Sequence, residues 1–296
     1  MLARRNFLKG LLGIFLAGLF AATYGFFIEP MVRLRVKRWR IRRQDWTAPP
    51  MRIVAIADLH LGAPNVSLAR LERIVKRANG LGGDLVVLLG DYAAGHRFIS
   101  QEVSIKDAAP VLAKLSARHG VFGILGNHDW WDDLSAQTRG AGPNLYAQAL
   151  QANGISVLSN QAVKLEDAGV WLAGLEDQLA LVLGGGRFRG LDDLPATLSQ
   201  IKDDAPVVML AHEPDIFAKM SDRVALTLSG HTHGGQIRLF GWSPIVPSRF
   251  GNRYAYGHVR EDGRDLVVSG GIGCSILPVR FGVVPEITVI EISGQD

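Results

Sequence analysis

The sequence predicts an α/β protein, with sheets in the middle and helices outside, behind one N-terminal helix of membrane length. Three observations carry this. From residue 51 onward, short runs of branched apolar residues alternate with segments of helical period, which argues for parallel strands joined by crossover helices. Near the start stands Gly10–Ile28, a run of nineteen residues without a charge. Five of the later apolar runs end in clusters of Asp, His and Asn.

As a helix, Gly10–Ile28 would reach roughly 28 Å at about 1.5 Å per residue, close to the hydrocarbon thickness of a bilayer. It lacks the polar face that a helix packed on a soluble core would show. Ahead of it, Arg4-Arg5-Asn6-Phe7-Leu8-Lys9 resembles the twin-arginine export motif. No small-x-small cleavage site stands near Ala21–Gly25, so an uncleaved anchor is expected. The twin-arginine motif places the folded domain on the extracytoplasmic side of the inner membrane. Three basic residues before the helix and seven after it favour the cytoplasmic face instead. The more specific motif is given the greater weight. Residues 1–30 then read as a signal anchor, 31–50 as a basic juxtamembrane linker and 51–296 as the folded domain.

Charge follows the same division. Residues 1–43 hold ten basic side chains against Glu29 alone, a surplus of nine, while the whole chain carries only +4. The rest is therefore mildly acidic, a poor match for a nucleic-acid backbone. The basic stretch 33–43 beside an apolar run suits anionic lipid head groups. The single cysteine, Cys274, forms no internal disulfide and reads as a small buried apolar residue.

Arg52–Ala57, Leu85–Leu89 and Val121–Leu125 read as buried strands, and Ser67–Asn79 and Ala108–Arg118 as the helices between them. Val207–Leu210, Val224–Leu228, Leu266–Ser269 and Ile287–Ile292 read as later strands, and Val170–Gly174 as a hairpin piece. Polar clusters follow five of these runs: Asp58-Leu59-His60, Gly90-Asp91, Gly126-Asn127-His128-Asp129, Ala211-His212-Glu213 and Gly230-His231-Thr232-His233. Ligands gather outside the carboxyl ends of strands in α/β sheets. Carboxylate and imidazole together suit divalent Mn, Fe or Zn. Alternation along an extended segment would aim Asp58 and His60, or His231 and His233, to one side. Asp91 could bridge two ions through its two oxygens.

The five motifs, in this order over residues 58–233, resemble those of the calcineurin-like metallophosphoesterases. Ser229–Gln236, Gly271-Ile272-Gly273, Arg280-Phe281-Gly282 and Pro285-Glu286 are further similar to a bacterial branch of membrane-anchored or twin-arginine-exported phosphodiesterases. The resemblance implies a metallophosphoesterase-type α/β sandwich holding two divalent ions, manganese first, with Fe, Zn or Mg as alternatives. It implies Asp58, His60 and His233 on one ion and Asn127, His212 and His231 on the other, with Asp91 between. It implies His128 as general acid or phosphate-oxygen stabiliser and Asp129 as the group that orients it. The implied reaction is in-line attack on phosphorus by a hydroxide bridging the ions. The expected substrate is a phosphoester, lipid-linked, in the cell envelope. A pyrophosphatase acting on a nucleotide-linked acylated sugar of lipid A synthesis is the second enzymatic reading, and it requires a cytoplasmic site. A membrane scaffold with a dead site is a reading of another class, although no motif is broken. A zinc protease would want His-Glu-x-x-His, which the sequence lacks.

Other residues leave alternatives open. Trp130 and Trp131 read either as core aromatics or as a pocket wall, and Gly241–Gly257 as a loop over the site or elsewhere on the surface. His96, His119 and His258 read as structural or surface side chains, with His96 near enough to Gly90-Asp91 to line the site.

Overall fold

Apolar runs of five or six residues need cover on both faces, and two stacked sheets with outer layers supply it. The structure, a computed structural model, describes residues 2–295. Its strands begin with β1 (Arg35–Arg43), β2 (Met51–Ile56), β3 (Leu85–Leu89), β4 (Val121–Ile124), β5 (Ser156–Val157), β6 (Gln161–Leu165) and β7 (Val170–Gly174). They continue with β8 (Leu181–Gly184), β9 (Arg187–Arg189), β10 (Val207–Leu210), β11 (Leu226–Ser229), β12 (Gly257–Glu261), β13 (Arg264–Val268) and β14 (Glu286–Gly294). The helices used below are α1 (Leu2–Thr23), α2 (Leu68–Asn79), α3 (Ile105–Leu112) and α4 (Asn127–Asp132).

One sheet has the order β1-β14-β2-β3-β4-β5 and the other β12-β13-β11-β10-β7-β6. Each is parallel in its centre, with β2, β3 and β4 in the first and β7, β10, β11 and β13 in the second. The α/β sandwich predicted from the sequence is the fold. Ile53, Val87 and Ile290 of the first sheet pack on Leu172, Leu210 and Leu228 of the second. Outside the first sheet, α2 lays Leu71, Ile74 and Val75 on Val86 and Leu88. Ser67 caps α2 by accepting from Arg70 N. Helix α3 starts earlier than its apolar spacing suggests, because Ser104 accepts from Asp107 N and begins the helix there.

The segment expected as a linker, 31–50, is corrected: its Arg35–Arg43 stretch is a strand. β1 pairs in parallel with β14, from Arg35 beside Glu286 to Arg43 beside Gly294. The physical reason is a period of two hidden under the charge. Trp39 and Ile41 face the core between the sheets, while Arg38, Arg40 and Arg42 face outward. The folded domain therefore begins before residue 51. The basic stretch is also less free for lipid than its count implies. Arg35 bonds Glu286 at 2.8 Å, Arg40 bonds Glu291 at 3.1 Å, and buried Arg43 lies between Asp45 and Asp265.

Helix α1 runs into a wider helical stretch, Tyr24–Val32, and together they are long and apolar enough to cross a membrane. Gly25, Glu29 and Pro30 are buried against the domain. Arg280 N donates to Gly25 O at 2.9 Å. Arg70 donates to the carbonyls of Pro30 and Arg33.

Candidate metal centre

Three candidate groups leave the carboxyl ends of β2, β3 and β4 in one sheet, and two leave β10 and β11 in the other. The ladder continues past the strands, with Asp58 N bonding Gly90 O at 3.1 Å and His60 N bonding Asp91 O at 3.0 Å. The way the side chains converge differs from the extended alternation expected. Asp58, His60, Asp91, His231 and His233 all adopt left-handed backbone, with φ of 52°, 40°, 57°, 67° and 51°. Each such residue costs on the order of 1–3 kcal/mol and persists only where its surroundings fix it. Gly126 and Gly271 show how close those surroundings come. A Cβ on Gly126 would collide with Asp91 Oδ1, and one on Gly271 would lie 2.6 Å from Asp58 Oδ2.

Two clusters of ligand atoms result, each within 4.8 Å, and Asp91 belongs to both. Asp58, His60, Asp91 and His233 form one, and Asp91, His212 and His231 the other. In the first, His60 Nε2 lies 3.5 Å from Asp91 Oδ2 and 3.0 Å from His233 Nε2. His233 Nε2 lies 3.7 Å from Asp58 Oδ1. In the second, His212 Nε2 is 3.2 Å from Asp91 Oδ2, and Asn127 Oδ1 is 2.9 Å from His231 Nδ1. His60 Nδ1 donates to Ala93 O at 2.8 Å and His212 Nδ1 to Leu89 O at 2.7 Å. These carbonyls fix both rings and turn each Nε2 inward, as such partners do for metal-ligating histidines.

The donor set fits divalent cations on a structural ground. Among the described residues, buried Asp58 Oδ2 has no hydrogen-bond partner, and buried His212 Nε2 faces Asp91 Oδ2 at 3.2 Å without hydrogen-bond geometry; buried polar atoms rarely stay unpaired without reason. Burial pushes Asp58 up to about 7, against the pull of His212 and with the push of Asp91. Burial takes His60 down to about 3, although Asp91 opposes it. His212 resists burial and sits well above its ordinary value because Asp91 favours positive charge there. Divalent cations would offset this crowding by holding Asp58 and Asp91 ionised and His60 and His212 neutral.

The sequence comparisons bear on the same residues. Residues 51–235, which hold all five motifs, match the model of the calcineurin-like phosphoesterase family. The chain belongs to the calcineurin-like phosphoesterases. It is 32% identical to the uncharacterized metallophosphoesterase YkuE of Bacillus subtilis, over 100% of this chain and 99% of that one. Phosphodiesterase YaeI of Escherichia coli is 29% identical over 99% of this chain and 100% of its own. A transmembrane protein with metallophosphoesterase domain from Danio rerio is 32% identical over 81% of this chain and 52% of its own. This metallophosphoesterase is thus a metal-dependent phosphoester hydrolase.

The residues around the centre of this phosphoesterase divide into expected and missed. His128 lies beside it, half-buried, 4.9 Å from the His60 ring and 5.1 Å from that of Trp131. Its Nε2 is 3.3 Å from Ser275 Oγ. Asp129 does not orient it, which corrects that expectation. The Asp129 carboxylate instead accepts the backbone N–H groups of Asp91, Tyr92, Ala93 and Gly126 at 2.7–2.9 Å. It sits at the start of α4 with its side chain turned back, so it clamps two loops together and leaves His128 to Ser275. Trp130 is core, donating to Glu176 at 2.9 Å, while Trp131 stacks on Phe188 at 5.0 Å as a pocket wall. That pocket, about 450 Å3, is also lined by Leu179, His231, Pro247 and Arg249. Gly241–Gly257 touches the site through Ser243, whose hydroxyl donates to Gly234 O at 2.6 Å. His258 is structural, 2.6 Å from Asp265. His96 accepts from Phe98 N and is no part of either cluster.

Three contributors were given no role at the centre by sequence reasoning. Fully buried Arg280 donates to His233 Nδ1 at 3.0 Å and to the carbonyls of Gly270 and Gly273. Glu213 brings Oε1 to 4.0 Å from His231 Nδ1, and buried Asp177 joins Glu213 and His212 in a further cluster. Glu213 follows His212 directly and could have been found by adjacency. Asp177 stands in no motif.

Proposed function

We propose that this phosphoesterase is a membrane-anchored phosphodiesterase that hydrolyses a lipid-linked phosphate ester of the cell envelope. The observation that carries the reading is Asp91, one buried carboxylate shared by two ligand clusters. Asp58, His60 and His233 would hold one cation, Asn127, His212 and His231 the other, with Asp91 between. When bound, a pair of divalent cations lowers the pKa of water and offsets charge on phosphoryl oxygens.

The chain supplies the rest. The Nδ1 bonds of His60 and His212 keep each Nε2 directed inward. Arg280 fixes the ring of His233. His128 is the one imidazole at the centre that is half-open and outside both clusters, so it can hold a proton for the departing oxygen. Trp131 and Phe188 offer an apolar wall to the group the phosphate carries.

Chelation tests the chemistry. Stripping purified protein with EDTA should remove hydrolysis of bis-p-nitrophenyl phosphate, and manganese should restore it better than Fe, Zn or Mg. Activity that survives complete stripping, checked by metal analysis, defeats the reading.

The anchor comprises residues 1–30, and the domain faces the extracytoplasmic side of the inner membrane. Arg4-Arg5-Asn6-Phe7-Leu8-Lys9 supports that orientation. The basic surplus after the helix supports the opposite one, which a pyrophosphatase of nucleotide-linked lipid precursors would need. An alkaline phosphatase fused to the C-terminus should be active under the first. An inactive fusion, with a cytoplasmic reporter active in its place, selects the second.

A further inference from the structure

The N-terminal helix and the candidate centre share one stretch of backbone. Arg280 N donates to Gly25 O, and the Arg280 guanidinium reaches His233. Next to it, Phe281 meets Tyr24 edge-on at 5.8 Å. Phe281 N bonds Gln236 O, and Arg238 N bonds Phe281 O, both at 2.8 Å. Gln236 also binds the other side of the mouth, where its Oε1 accepts from Ser275 N at 2.6 Å. Ser275 is the residue beside His128. From helix to His128 the path runs through hydrogen bonds joined by the residues that carry them.

This continuity sets a depth. The uncharged run ends at Ile28, just before Glu29. Gly25 lies in its last turn, roughly 4.5 Å short of that end at about 1.5 Å per residue. Whatever bonds Gly25 stands at the boundary between hydrocarbon and head groups. The segments 236–245 and 275–281 are therefore held near that boundary.

Their composition matches. Leu239, Phe240, Trp242, Ile245, Ile276 and Leu277 are all exposed large apolar residues, and such a cluster marks an interaction surface. Leu239 and Trp242 bond each other through both backbone pairs at 2.9 Å, which makes Phe240-Gly241 the tip of a tight hairpin. Phe240 has φ of 52° and is fully exposed, and Ile276 has φ of 65° and is 75% exposed. A bulky or β-branched residue is rarely found in that backbone region. In water neither side chain gains contacts that would offset the strain. At a bilayer surface both do, and Trp242 takes the interfacial place tryptophan favours. Exposed Arg33, bonded to the Tyr24 hydroxyl, adds positive charge at the same level.

We propose that the Phe240 hairpin and the Ile276 turn enter the membrane that holds the N-terminal helix, so that the candidate metal centre opens onto the bilayer surface. The proposal rests on the reading of residues 10–28 as a membrane span and deepens that of a lipid-linked substrate. The substrate class it selects is a phosphodiester whose phosphate lies in the head-group layer and is cleaved without leaving the bilayer.

The test uses the full chain in nanodiscs of phosphatidylcholine and phosphatidylglycerol. F240C labelled with an NBD fluorophore should emit further to the blue than labelled K114C and be quenched by nitroxide-bearing lipid. Lys114 lies on the exposed α2–α3 side, and the native Cys274 is buried. Emission from F240C that matches K114C overturns the proposal. As a second reading, the F240D/W242D double variant should keep hydrolysis of bis-p-nitrophenyl phosphate within about twofold of wild type. The same variant should cleave a phosphodiester lipid in the bilayer about tenfold more slowly. Equal effects on both substrates sink the idea. Insertion of the F240C label combined with wild-type protein that fails on bis-p-nitrophenyl phosphate instead defeats the phosphodiesterase reading alone.

Discussion

Asp91→Ala should lower kcat/KM on bis-p-nitrophenyl phosphate by about 10^3-fold or more, equivalent to roughly 4 kcal/mol of transition-state stabilisation, and leave the protein folded. Asp91 is the only residue common to the Asp58–His60–His233 and His212–His231 clusters. Its Oδ1 accepts from His128 N at 2.9 Å, and its Oδ2 faces His60 and His212. Removing it deletes the shared donor and releases the backbone of the residue set to act on the leaving group. The effect on folding should be small by comparison. Burial disfavours the Asp91 charge, and His212 and His128 only then hold it well below the ordinary carboxylate range. Taking away one member of a buried charge pair usually destabilises, yet here the partner imidazole can discharge by losing a proton. Kinetics and thermal unfolding on the same metal-free and metal-loaded samples separate the two. A variant that keeps activity within about tenfold of wild type shows that two-ion chemistry does not run through Asp91.

What the sequence discloses about this centre follows from how each residue earns its place. Asp58, His60, Asp91, Asn127, His212, His231 and His233 are legible because each follows an apolar run, and strand ends collect ligands. Their aim is not legible. Five of the seven sit at positive φ, which no alternation rule foresees, and the turns exist because the Gly126 and Gly271 backbones approach within contact of the carboxylates. Asp129 shows the same limit from another side. Adjacency to His128 suggests a partner, but α4 turns its carboxylate back onto four backbone N–H groups. A carboxylate that answers backbone donors leaves no trace in a motif of side chains. Arg280 is legible as part of Arg280-Phe281-Gly282, but its contact with His233 requires a tertiary approach across 47 residues. In the fold, β3, β7 and β10 are read to the residue because they are buried on both faces. β1 escapes because its exposed face carries the charge that reads as a linker.

Deleting residues 1–50 should therefore unfold or aggregate the domain, while a chain starting at Arg33 should stay folded without the membrane helix. β1 covers the edge of β14 along nine aligned residue pairs. Without it, the β14 backbone becomes an open edge with apolar Ile287, Val289 and Ile290 beside it, a template for pairing with other chains. Ile41 and Trp46 are almost fully buried, and Trp39 packs against the same core. Losing three such side chains removes roughly 4.5–9 kcal/mol of burial at about 1.5–3 kcal/mol each, comparable with the 5–15 kcal/mol that holds a domain together. Arg43 goes with them. Its guanidinium is buried against Asp265, and Asp45 and Asp265 raise its pKa against the cost of burial. Asp265 would then keep His258 as its nearest partner. Size-exclusion chromatography and circular dichroism of the two chains decide the matter, because an anchor-plus-linker arrangement predicts equal behaviour. A monomeric, cooperatively folded chain starting at Met51 would mean that β1 adds little, and that the pairing of the first and last strands is dispensable.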